Sequence, residues 1–190
     1  MNRFFSALLP VLLIIATFLA CSTTSQTANR NTTVATQDSV DQRLKSAPTW
    51  YKEEGAVFGS SAINSYATAI DSDSASTVSK AVERGTTLLR QAVSNRIETV
   101  RSKAMEELGS ESGLNKPGFL IALRKADSAV YETVTTQQTG TEPIEGQESV
   151  RGFSNIQVDR AELINLMGNQ LSSHQESWNA LINSEAFANF

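Results

Sequence analysis

From Val78 onward the apolar positions Val78, Ala81, Val82, Leu88, Leu89, Ala92, Val93, Ile97, Val100 and Ala104 recur three and four apart, the spacing that lines one face of an α-helix. Lys80, Glu83, Arg84, Arg90, Asn95, Glu98, Arg101 and Lys103 fill the positions between. The pattern predicts one long amphipathic helix, with Asp73 or Ser74 as its N-cap after the polar run Asp71-Ser72-Asp73-Ser74. Gly85 falls on the apolar face, where it costs ~1 kcal/mol of helix propensity relative to alanine. A close approach of this helix to a sheet would account for it.

Shorter patterns flank the helix. Trp50 and Tyr51 follow Pro48, which sets an extended approach, and Ala56-Val57-Phe58-Gly59-Ser60-Ser61-Ala62 reads as a first strand between glycines. Gly109, Gly113 and Pro117 mark the end of the long helix and the start of a second, carried to about residue 132 by Phe119, Leu120, Leu123, Ala126, Val130 and Tyr131. The Thr-rich stretch Thr133 to Thr139 favours extended structure, and Pro143 makes it an edge strand or a broken one. Phe153-Ser154-Asn155-Ile156-Gln157-Val158 alternates as a half-buried strand does, with Ser149 to Gly152 as the hairpin connection before it. Capping boxes at Asp159-Arg160-Ala161-Glu162 and Ser173-His174-Gln175-Glu176 start two last helices, split near Gly168. The expected fold is α+β: a small antiparallel sheet of about three strands, packed against the long helix, with further C-terminal helices.

The N-terminus differs in kind. Phe4 to Ala20 is an uncharged, mostly apolar run behind Arg3, and it stops at Cys21, the single cysteine of the chain. Seventeen residues fall short of the ~20 of a spanning helix, and Pro10 interrupts them, so residues 1–20 read as a secretory signal. Phe18-Leu19-Ala20-Cys21 resembles the lipobox of bacterial lipoproteins, in which the cysteine is acylated. That resemblance implies diacylglycerol on Cys21, with each buried methylene adding ~0.8 kcal/mol of membrane affinity. Ser22, rather than aspartate, resembles the signal that sorts lipoproteins to the outer membrane. Residues 21–46 are rich in Ser, Thr, Gln, Asn and Asp and read as a disordered polar tether; residues 47–190 read as a single domain. A sequon match at Asn31-Thr32-Thr33 in such a stretch is expected by chance.

Charge adds an exclusion. Removing residues 1–20 takes away one charged group, Arg3, and moves the formal charge from −4 to −5. With Lys and Arg scattered and no basic stripe, nucleic acid is not expected as a partner. No second cysteine exists to staple the domain with an intramolecular disulfide.

Pro48-Thr49-Trp50-Tyr51, Val57-Phe58-Gly59, the helix positions Ala81, Gly85, Leu89 and Ala92, and Val158-Asp159-Arg160 together resemble the Lpp-twenty lipoprotein family of Gram-negative bacteria over roughly residues 48 to 167. Gly59-Ser60-Ser61 stands where that family usually carries Gly-x-Gly. The resemblance implies an outer-membrane or cell-surface lipoprotein without catalysis, some of whose relatives assemble around the flagellar motor.

Candidate chemistry is sparse. His174 is the single histidine and sits in a capping box. Gly109-Ser110-Glu111-Ser112-Gly113 has Glu111 where a nucleophile elbow needs its serine. Asp71-Ser72-Asp73 lacks the further oxygens and the glycine of a calcium loop, and Glu106, Glu107 and Glu111 read as a solvated acidic patch. No catalytic, cofactor or metal residues are expected, and the chain reads as a non-enzyme. Two functional classes remain. One is a structural or interaction module, open to homo-oligomers or envelope partners through its sheet edge. The other is a small-ligand or cell-wall-binding lipoprotein that holds its ligand between helix and sheet, with Trp50 and Tyr51 as contacts.

Overall fold

The computed structural model describes residues 47–190. The apolar run, Cys21 and the polar stretch to Ser46 lie outside the described residues. Two hairpins form one antiparallel sheet. Strand β1 (Gly55–Phe58) pairs with β2 (Ala62–Asp71), and β3 (Thr135–Pro143) pairs with β4 (Val150–Asp159). The two hairpins join through β2 and β4, giving the order β1-β2-β4-β3.

Helix α1 (Ser74–Leu108) leaves β2 and lies on one face of the sheet. Asp73 caps it, accepting a hydrogen bond from the Ser76 amide at 2.7 Å. Losing that cap in Asp73→Ala is expected to cost about 1 kcal/mol, measurable as a lowered midpoint in urea. Down its inner side Thr77 meets Gly152, Ala81 accepts a 2.8 Å hydrogen bond from the Ser154 hydroxyl, and Gly85 lies against Ser154 and Ile156. Four helix residues rise ~6.0 Å and two strand residues ~6.6 Å, so helix and strand stay nearly in step over this stretch. A Cβ on Gly85 would lie 3.1 Å from Ser154 Oγ. That is the close approach the glycine's propensity cost suggests.

Helix and strand then part because their lengths differ. The 35 residues of α1 span ~52 Å and the 10 residues of β4 about 33 Å, so the second half of α1 needs another partner. Helices α2 (Pro117–Ala126), α3 (Ala129–Thr133), α4 (Arg160–Gln170) and α5 (Gln175–Ile182) supply it. Their Phe119, Leu123, Val130, Leu163, Met167 and Trp178 share one buried cluster with Val93, Ile97, Val100 and Ala104 of α1.

Two polar residues of α1 tie this end together. Arg101 is buried and donates to the Leu114 carbonyl at 3.2 Å and to Glu98 at 2.5 and 3.0 Å. Glu107 accepts from the amides of Glu185 and Ala186 at 3.1 and 3.4 Å. The hydrogen bonds from Arg101 hold the Glu98 carboxyl below its ordinary value against the opposing effect of partial burial. The stability from this pair is therefore present above the ordinary carboxylate range and is lost as pH falls through the depressed value. Glu98→Gln is expected to flatten the decline of melting temperature between about pH 5 and pH 3, read by circular dichroism.

Several local expectations are corrected. The run Ala56–Ala62 contains a turn rather than one strand: the Gly59 amide donates to the Ala62 carbonyl at 2.9 Å, and the chain reverses into β2. Strand β2 escapes the alternation rule because its helix-facing positions include the small residues Ser65 and Ala67, while Tyr66 faces the other way. Among the described residues the sheet thus has four strands where the pattern predicts about three. Ser149–Gly152 is not the hairpin connection, because β4 begins at Val150 and the reversal is made at Ile144 to Ser149 around Gly146, whose φ is +74°. The second helix breaks at Asp127–Ser128 into α2 and α3. The last split falls at Leu171, beyond Gly168, where a 3₁₀ turn over Ser172–His174 replaces the capping box expected from Ser173.

Candidate functional site

The face of the sheet away from α1 carries large residues where the helix face carries small ones. Tyr66 and Phe153 are both buried there. What covers them is the arm Ala47–Glu54, turned by a 2.8 Å hydrogen bond from the Tyr51 amide to the Pro48 carbonyl. Tyr51 sits edge-on to Phe153 at 5.0 Å and to Tyr66 at 6.0 Å, with Trp50 edge-on to Tyr51 at 6.2 Å. A Cβ on Gly140 would lie 3.4 Å from Pro48 and 3.5 Å from Trp50. The arm therefore crosses the outer face from β3 toward β1.

Beside the arm runs a groove of about 710 Å³, lined among others by Pro48, Tyr51, Glu54, Thr68, Ile70 and Arg151. Glu54 accepts from Arg84 at 2.5 Å and from the Thr68 hydroxyl at 3.2 Å, which ties the end of the arm to α1 and to β2. Burial, and then the Glu54 carboxylate, push the Tyr51 phenol above its ordinary value; Arg84, a Thr68 hydrogen bond and Arg151 oppose the rise. The phenol stays protonated near neutrality and offers a donor at the groove wall.

Trp50 and Tyr51 are thus brought together, with Tyr51 lining the groove, but on the opposite side of the sheet from the place the ligand reading expects. The space between α1 and the sheet is filled by the contacts of Thr77, Ala81 and Gly85 with β4. Tyr66 and Phe153, the buried rings against which Tyr51 rests, are missed as site residues by sequence reasoning. A signal existed: a lone tyrosine between Ser65 and Ala67 points to a strand whose large residues face outward.

The remaining candidate chemistry resolves into structure. Asp71 accepts from Ser72, Ser76 and Lys80, with Lys80 first among the causes that hold its carboxyl well below the usual carboxylate range. With Asp73 committed to the cap, that loop is a helix start. Ser110–Ser112 is a 3₁₀ turn between Gly109 and Gly113, both at positive φ. His174 is half-buried, edge-on to the Phe119 ring at 6.2 Å. Among the described residues no group of three or more His, Cys, Asp or Glu is placed to hold a metal ion, and no helix is long and apolar enough to cross a membrane. The chain matches no protein-family model, no curated protein and no solved structure.

Proposed function

We propose that this chain is a lipid-anchored lipoprotein of the bacterial outer membrane or cell surface, of the Lpp-twenty kind, whose α+β domain serves as a structural or interaction module of the envelope and carries no catalysis. The observation that carries the reading is Cys21, a single cysteine placed directly behind Phe4–Ala20 and ahead of a polar stretch. The 25 residues Ser22 to Ser46 let the domain stand at most ~90 Å from such an anchor. Cells fed labelled fatty acid are expected to label the protein, and Cys21→Ser is expected to abolish that label and release the chain from the membrane fraction. Label that persists in Cys21→Ser would sink the proposal.

The groove favours a second reading, a lipoprotein that holds a small ligand or a cell-wall fragment against Tyr51. Muropeptides titrated into the protein are then expected to change Trp50 fluorescence, and the change is expected to vanish in Tyr51→Ala. A spectrum unmoved by muropeptides would remove the cell-wall form of this reading and leave the first intact.

A further inference from the structure

Strand β3 is an edge strand of nine residues, largely exposed along its length, with no lysine or arginine in it. Proteins usually protect such an edge with lysine, proline, a bulge or a covering element. Here the irregularity at Gln137 and the proline at 143 mark the two ends, and the run Gln138 to Glu142 between them keeps regular register with β4. We propose that this run pairs antiparallel with the same run of a second copy of the chain, about a two-fold axis through Gly140. Two four-stranded sheets would then join into one of twice four strands. The inference deepens the interaction-module part of the reading above, on which it rests, and is independent of the anchor.

The self-complementarity is chemical as well as geometric. An axis through Gly140 sets Gln138 opposite the partner's Glu142, and Thr139 opposite the partner's Thr141. Gln138, Gly140 and Glu142 lie across from Asn155, Phe153 and Arg151 and share their face, and the pairing keeps each opposed pair on one face. Among the described residues Glu142 Oε2 is shielded from solvent and has no hydrogen-bond partner. The side-chain amide of Gln138 has two N–H donors to offer the carboxylate of the partner's Glu142. Thr–Thr pairs are among the favourable cross-strand neighbours. Gly140 puts no side chain on the axis, and the Pro48 and Trp50 that lie over it are brought beside those of the partner. The two Glu142 residues stand ~14 Å apart along the strands, beyond the ~8 Å over which exposed charges act at physiological salt.

The test uses the full chain in detergent on a Cys21→Ser background, which removes the native thiol and any acylation. Two differently tagged copies, one with Thr139→Cys and one with Thr141→Cys, are co-expressed and mildly oxidised. Mixed disulfide dimers are expected well above the share that random pairing of the two copies gives. Without the cysteines, Gln138→Glu faces carboxylate with carboxylate at both ends and is expected to weaken the dimer about tenfold in sedimentation. Adding Glu142→Gln is expected to restore it. A chain that stays monomeric at every concentration, disulfides in the proportions that random pairing gives, or a dimer indifferent to Gln138→Glu would each overturn the proposal. Fatty-acid labelling of the native chain reads the anchor separately, so either failure is told from the other.

Discussion

Phe153→Ala is expected to destabilise the domain by about 3–5 kcal/mol, the range for emptying a buried phenylalanine site, and to lower its melting temperature by roughly 10 °C. Phe153 is 1% exposed, although among the described residues the helix that packs along β4 lies on the other face. Its cover is the ring of Tyr51 at 5.0 Å, and behind that ring Trp50. Truncation therefore removes both a core side chain and the surface on which the arm is seated. Calorimetry reads the loss, and Trp50 emission, shifted to the red as the arm lifts, reads its location. A loss below about 1 kcal/mol with unshifted emission would mean that the arm does not close this face.

A substitution at Gly152 is expected to act from the other side of the same strand. A Cβ there would lie 2.6 Å from Thr77 Cγ2 and 2.8 Å from the Thr77 carbonyl oxygen. The methyl can be removed, but the carbonyl belongs to the first turns of α1 and cannot move without the helix. Gly152→Ala is expected to cost about 1–3 kcal/mol in urea denaturation, and Thr77→Ala is not expected to rescue it. Gly85→Ala provides the contrast. Its new Cβ meets side-chain atoms at 3.1 to 3.4 Å, and the helix gains ~1 kcal/mol of propensity, so the variant is expected to fall within about 1 kcal/mol of the parent. Equal losses at the two glycines would show that contact with helix backbone is not what separates them.

The two glycines also show what the sequence could reveal. Gly85 stood out because it interrupts a strong helical period, and the sheet contact explains it. Helix α1 itself, its Asp73 cap, the Asp159 cap that accepts from the Glu162 amide at 2.8 Å, the strand around Phe153–Val158 and the edge position of β3 were legible for the same reason: each rests on periodicity or on capping and proline chemistry within a few residues. Strand β2 was not legible, because its pattern is dictated by a helix that demands small partners. The break between α2 and α3 has neither glycine nor proline to announce it; Asp127, at the break, lies 3.8 Å from Arg90 of α1, a neighbour 37 positions away in sequence. Of the candidate site, Trp50 and Tyr51 were visible as an aromatic pair at the domain's threshold. Their floor was not, since Tyr66 and Phe153 become neighbours only when β2 and β4 pair.

The route of the arm bears on how the domain carries load. A pull on the chain ahead of Ala47 arrives first at Pro48 and Trp50, which lie against Gly140, and only later at β1. Ring contacts detached one at a time resist weakly, whereas strands drawn along their own axis must break many hydrogen bonds together. The arm is therefore the part that yields first. Beyond it the Glu54–Arg84 pair and the four residues of β1 stand between the pull and the central strands, so a modest tug unclips the aromatic cover while β2, β4 and α1 stay folded behind it.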